Sequence, residues 1–440
     1  MSQKENLTQV IVKFHDDIDL PYEDGVERHI PNKLTLFHPQ SDTELENFTF
    51  ERLFRSLPSD KIKDLLSKGQ EKDPNVITPN LLSYFKIKCP DRIDPKELVN
   101  HLSNWEIVQT AYVDTPATEP QTVDPSDDPL FVNQGYLRPA PEGIDVEYGW
   151  KFPGGDGTGQ SVIDVERGWT LNHEDLIHLQ AQLLFGNIRD ESRWHGTAVL
   201  GEIAAKDSQI GCIGIVPNIK SVNVVSYHGT GEHDAILSAI PHLEPGNVLI
   251  LEIQTTIEGQ TLPIEVKPAV LDTIRLAIQH GIIVIEAAGN GGIDLDLYEV
   301  DSKNIFNRSS MDFQDSGAIM VGASSGVYPH KRMNFTNHGS RIDCYAWGER
   351  VTTCYSDSQG DTKKYNYNFN GTSSATPIVA GAVLAVQGIV QAFRGNRLSP
   401  TEIKNILTDS SLGTPSANPM TDRIGVMPNL RAIINFLVNN

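Results

Sequence analysis

From about residue 129 onward the sequence alternates short apolar runs with segments of helical period. The order is SVIDV, HGTAVLGEIAAK, SVNVV, a helical stretch near 232–243, VLILEI, VLDTIRLAIQHG, IIVIEAAGN and AIMVGAS. A strand with one wet face alternates apolar and polar residues. A strand that is apolar throughout has both faces covered. Helices placed between such strands supply the cover. The pattern therefore predicts an α/β fold, with a mostly parallel central sheet between two helical layers. Two further helices are expected at 400–409 and about 430–437.

The upstream texture differs. Residues 8–14 alternate like a strand, and 83–89 (SYFKIKC) do so again. Residues 94–105 (DPKELVNHLSNW) read as a helix, with Asp94 as its cap and Pro95 at its first position. Residues 106–113 (EIVQTAYV) form a further strand. This order predicts a small α+β domain, while the polar stretch 20–75 yields no assignment. Residues 115–128 carry three prolines and no periodicity, which marks a linker. The expected organisation is a 1–114 domain, a 115–128 linker and a 129–440 domain.

Composition narrows the partners. Thirty-six basic against 57 acidic residues give a net charge of −21. Nucleic acid and anionic membranes attract Lys/Arg excess, so neither is expected as a partner. Four cysteines are too few for a disulfide scaffold and have no zinc-finger spacing. Cys344 and Cys354 are close enough in sequence to pair in an oxidising compartment. The apolar run 9–14 is too short for a secretory signal and is followed by Asp16 and Asp17. No stretch of 18 consecutive apolar residues occurs. The expected location is cytoplasmic or non-classically secreted, and secreted if a native leader precedes the chain.

In open α/β sheets reacting groups collect at the carboxyl ends of strands. Asp164 closes SVID, His195 opens the helix HGTAVLGEIAAK, Asn290 ends IIVIEAAGN, and Ser373 lies in the turn before a long apolar helix. A serine hydroxyl needs a base, and a histidine is matched to neutral pH. Asp164 would orient that histidine. The Asn290 amide and the Ser373 backbone N–H are candidate donors to an oxyanion. No cofactor is required for this chemistry.

These segments, taken in order, resemble the subtilisin-like serine proteases (subtilases, peptidase family S8). The carrying residues are Asp164, His195-Gly196-Thr197, Gly289-Asn290 and Gly371-Thr372-Ser373-Ser374-Ala375-Thr376-Pro377. GCIGIVP at 211–217, AIMVGA at 318–323 and FTNHGSRIDCYAWG at 335–348 resemble family segments as well. The resemblance covers about 130–440. It implies a subtilisin-like three-layer fold, a serine endopeptidase acting through an acyl-enzyme on Ser373, and protein or peptide substrates. It also implies that the N-terminal region is pro-domain-like, an intramolecular inhibitor or folding aid of a zymogen. Glu252, Ile253, Gln254, Ala287, Ala288 and Gly289 stand where the family binds substrate backbone. Asp175 stands where many members hold calcium, together with the 206–212 loop.

Three positions depart from the family pattern. The aspartate is normally followed by Ser/Thr-Gly, but here by Val165-Glu166. Trp347 replaces a proline, and Glu252-Ile253-Gln254 replaces Ser-Leu-Gly. Glu252 and Glu286 precede site-lining turns, where they either attract basic side chains or are satisfied structural carboxylates. The alternatives to hydrolysis are a pseudoprotease that binds peptides without cleaving them, and a ligase or macrocyclase in which an amine captures the acyl-enzyme.

Overall fold

Four strands and two helices make the first of two units, Met1–Glu119 and Pro120–Asn440, in a computed structural model that describes residues 9–30, 49–72, 79–88, 94–114 and 123–439. The strands are β1 (Gln9–Phe14), β2 (Phe50–Arg52), β3 (Tyr84–Lys88) and β4 (Val108–Asp114), paired antiparallel in the order β2-β3-β1-β4. Helices α1 (Ser59–Lys72) and α2 (Pro95–Ser103) complete it. Asp94 accepts from the Lys96 N–H and caps α2, as its position before Pro95 predicts. Leu98 and Leu102, one helical turn apart, pack on Val10, Val12, Phe14, Phe85 and Ile87. Helix α1 falls in the stretch that sequence left unassigned; it buries only Ile62. Thr8 and Cys89 lie outside the described residues.

The second unit is built on a nine-stranded sheet. After the short helix α3 (Val146–Gly149) come β5 (Ser161–Glu166), β6 (Leu183–Phe185), α4 (Arg193–Ala204), β7 (Ser221–Ser226), α5 (Glu232–Ala239) and β8 (Val248–Leu251). A hairpin of β9 (Gln254–Ile257) and β10 (Gln260–Pro263) leads to α6 (Pro268–Gln279), β11 (Ile283–Ala287), β12 (Ile319–Ser324) and β13 (Cys344–Trp347). A second hairpin, β14 (Val351–Tyr355) and β15 (Lys364–Phe369), precedes α7 (Thr372–Arg394). The chain ends with α8 (Pro400–Thr408), β16 (Gly413–Pro415), α9 (Pro419–Asp422), β17 (Val426–Pro428) and α10 (Leu430–Asn439). The sheet order is β16-β17-β13-β12-β11-β8-β5-β7-β6, parallel except for β16 against β17.

Alternate residues of each strand enter different cores. Val162, Ile250 and Ile285 pack with α4 and α7 on one face. Ile163, Val165, Leu249, Leu251 and Val284 pack with α5 and α6 on the other. This is the expected three-layer arrangement. Helix α7 is long and apolar enough to span a membrane by length and composition, yet 83% of its apolar window is buried inside the unit. It starts at Thr372, so Pro377 sits in the second turn, where it withdraws the N–H that would bond the Ser373 carbonyl.

Two expectations need correction. The linker was expected to run to residue 128, but its last residues are fastened to the loop after α4. The Asp124 N–H donates to Asp207, the Ser208 N–H donates to Asp128, and the Leu130 N–H donates to the Gly211 carbonyl. Cys354 also has a different neighbour: its sulfur lies 3.6 Å from that of Cys212, both as free thiols. The Cys344 thiol instead donates to the Leu407 carbonyl.

Candidate active site

Strand β5 delivers two carboxylates to the face shared by α4 and α7. Residues 162, 164 and 166 point to that face because side chains alternate along a strand. Glu166, at the strand end, lies 2.7 Å from His195 Nδ1. Asp164 lies one alternation deeper, where its Oδ2 accepts from the Trp169 indole N–H at 2.7 Å. Asp164 is thus not the residue that orients His195; Glu166 is. The apolar run continues through Val165, so the strand ends two residues later than SVID suggests. The signal was present as Glu166-Arg167-Gly168, an acid followed two residues later by glycine.

His195 stands near the start of α4 with its ring inside an aromatic frame. The rings of Trp194 and Phe369 meet it edge-on, with centroids at 5.1 and 5.6 Å. Burial would lower its pKa, but the Glu166 carboxylate more than offsets this and the net shift is upward. Burial pushes the Glu166 pKa up, against the pull of His195. With Nδ1 bound to Glu166, Nε2 is left to face a substrate or nucleophile. Gly196 lets α4 approach this closely, since a Cβ there would fall 2.4 Å from the Trp169 ring.

Ser373 enters at the N-terminus of α7. Gly371, at φ 105°, makes the turn that starts the helix. The Asn290 side-chain oxygen accepts from the Thr372 N–H at 2.9 Å and from the Thr372 hydroxyl at 3.2 Å. Its backbone N–H donates to Gln254 Oε1 at 2.9 Å. The asparagine is held by its oxygen and its backbone, and its Nδ2 lies beside Gly371, where a Cβ would come within 3.4 Å of it. No hydrogen bond within 3.5 Å joins Ser373 to His195 among the described residues; such bonds are often long without substrate.

The expected substrate-binding positions divide. Ile253 is a core residue, packed with Leu251 and Val270. Gln254 is exposed but holds Asn290. The Ala288 and Gly289 carbonyls already accept from Asn337, so they form a fixed wall. Ala287 is buried in β11. Glu286 points to the opposite face, where it accepts from the Glu265 N–H near buried Arg341. Glu252 is buried too, at 6% exposure, and neither carboxylate oxygen has a completed hydrogen bond. Both glutamates are buried, so neither is open to a basic side chain of a substrate.

Asp175 does not sit among hard oxygen ligands. Its Oδ2 accepts from the Cys212 N–H and lies 3.8 and 4.0 Å from the Cys212 and Cys354 sulfurs. The nearby His173 has both ring nitrogens engaged, with the Lys364 carbonyl and the Asp175 N–H. The oxygen-only set is Asp127, Asp128 and Asp207, whose ligand atoms lie within 4.8 Å of one another. Asp128 is 2% exposed and its Oδ2 has no partner. Burial raises its pKa to about 8, the mark of a carboxylate lacking a positive neighbour. Calcium, which takes carboxylate and carbonyl oxygens, fits this set.

The comparisons with known proteins bear on the family and the fold. A family model described as the subtilase family matches residues 184–426, a span that holds His195, Asn290 and Ser373 but begins after β5. Subtilisin DY of Bacillus licheniformis is 26% identical over 259 residues, 58% of this chain and 84% of that protein. The major intracellular serine protease of Bacillus subtilis is 28% identical over 282 residues, 60% of this chain and 80% of that protein. A solved protease structure from Pseudoalteromonas arctica has the same fold, with a TM-score of 0.50, 20% identity, and coverage of 70% of this chain and 98% of that one.

Proposed function

The chain belongs to the subtilase family of serine endopeptidases, and on that premise we propose that it cleaves peptide bonds with a Glu166–His195–Ser373 triad. The carrying observation is the 2.7 Å bond from Glu166 to His195 Nδ1. Ser373 Oγ attacks the peptide carbonyl while His195 Nε2 takes its proton. Glu166 fixes the ring and stabilises the imidazolium. Asn290 Nδ2 and the Ser373 N–H donate to the oxyanion. His195 then protonates the leaving amine, and water, activated by the same ring, releases the acyl group.

The N-terminal unit acts in this reading as an intramolecular inhibitor or folding aid. Calcium is held by Asp127, Asp128 and Asp207, away from the chemistry. The naming of the Bacillus subtilis relative as intracellular supports a cytoplasmic site of action, which fractionation of the source cells tests.

A serine-reactive fluorophosphonate and a peptide library, applied to the full chain and to Ser373→Ala, test the enzyme. Labelling and cleavage that both need Ser373 are expected. Cleavage by Ser373→Ala, or no labelling of the wild type, overturns the triad. The same preparations report on the N-terminal unit. Wild type should shorten to about the 120–440 unit, while Ser373→Ala stays whole. Wild type that stays whole under cleaving conditions makes the unit a permanent domain.

A further inference from the structure

Adjacent strands of the sheet bring two carboxylates to one face. Val165 pairs with Leu251 in the parallel register of β5 and β8, so the next residues, Glu166 and Glu252, come side by side. Both lie toward α4 and α7. Glu166 has His195 as its partner. Among the described residues Glu252 makes no ion pair. The groups that face it are Glu166 and Asp164 from β5, Glu202 from α4 and Ser373 from α7. From β11, Glu286 points to the other face toward Glu265 and Arg341. Both Glu252 oxygens are sealed from water with no hydrogen-bond partner, and Ser373 is the hydroxyl among the groups that act on its ionisation.

We propose that Glu252 is a further member of the catalytic centre and acts as a neutral carboxylic acid whose O–H donates a hydrogen bond to Ser373 Oγ. The inference rests on Ser373 being the nucleophile. The bond holds the serine oxygen while its own hydrogen points to His195 Nε2. The Glu252 proton stays on Glu252 throughout, so no bond to it breaks and nothing else need balance.

Like charges in a dry site cannot both form cheaply, and one of two neighbouring carboxylates keeps its proton. His195 secures the charge of Glu166. Burial first, and then Glu166, Asp164 and Glu202, push the Glu252 pKa far up. An ionised Glu252 can only accept. It would compete with His195 for the Ser373 proton and set negative charge beside the forming oxyanion. Activity should therefore fall as pH rises through the ionisation of Glu252.

The test is the pH profile of kcat/KM from pH 5 to 10 on a peptide substrate, for the full chain and two variants. Wild type should show a falling basic limb. Glu252→Ala should lower kcat by roughly three- to tenfold at the optimum, the worth of one neutral hydrogen bond, with KM little changed. Glu252→Gln has an amide N–H donor and no ionisation. It should recover much of the loss and lack the basic limb. Glu252→Ala as active as wild type overturns the proposal. So does Glu252→Gln no better than Glu252→Ala, or a basic limb that persists in Glu252→Gln. Fluorophosphonate labelling runs alongside and separates the premise from the proposal. Wild type that does not label sinks the serine nucleophile itself, while normal labelling with any of the three contrary profiles sinks only the role of Glu252. Thermal melts identify a variant that has failed to fold.

Discussion

One methylene and two residues separate Glu166 from the aspartate expected to serve in its place. Replacing Glu166 by Gln keeps the shape but loses the charge that selects the His195 tautomer. kcat should fall by roughly a thousandfold or more. Asp164→Asn keeps an oxygen for the Trp169 N–H, so kcat should stay within about threefold. Steady-state kinetics of the pair decides, and the opposite ranking would return the role to Asp164. The acidic limb of the kcat/KM profile gives a second reading. Burial alone lowers the His195 pKa and Glu166 reverses that, so the limb should lie above pH 6.5 in wild type and below it in Glu166→Gln. The roles proposed for His195, Asn290 and Ser373 could be read from sequence because each stands in a long distinctive segment. Glu166 was not, since an apolar run ending at an aspartate looks complete, and only the three-dimensional bond tells which of two carboxylates on one face meets the imidazole.

At the scale of elements, the parallel strands were legible because both their faces are buried and their sequence shows it. The helix α1 was not, because its apolar residues, Ile62, Leu65 and Leu66, span little more than one turn of an otherwise polar stretch. The β9–β10 hairpin was missed for a related reason. It is a two-stranded piece outside the main sheet, and it replaces an expected substrate strand with a ribbon whose Gln254 anchors Asn290. The loop after α4 gathers Asp207 with Asp127 and Asp128 from the segment read as linker. Calcium at about one hundred times its Kd should add about 2.7 kcal/mol of stability. Tm in calcium and in chelator measures it. The shift should vanish in Asp128→Asn, and a chelator that leaves the wild-type Tm unmoved would show that these carboxylates hold no ion.

The whole molecule carries an unusual load of buried acid. Asp164, Glu202, Glu252 and Glu286, which have no imidazole partner, all have pKa values pushed far up by burial. An unfolded chain sheds these protons near pH 4, whereas the fold keeps them. Their stabilisation is therefore full below about pH 4 and is lost as pH rises through the folded values. His178 works in the other direction. Burial lowers its pKa to about 4, so its contribution is lost as pH falls from about 6.5. Tm should peak on the acid side of neutrality and decline from pH 6 to 9; a Tm that climbs across that range contradicts this balance. The apolar helix α7 adds a consequence for the chain as it is made. Glu166, His195 and Asn290 leave the ribosome before Ser373, and so do β8, β11, β12 and β13, the strands that α7 chiefly packs against. In the proposed triad the nucleophile is the last catalytic group to be synthesised, and it arrives on the one helix among the described residues that is long and apolar enough to cross a lipid bilayer. Docking of that one helix both hides the hazard and delivers the hydroxyl. A nascent chain therefore stays harmless to its neighbours, and to itself, until its architecture is nearly finished.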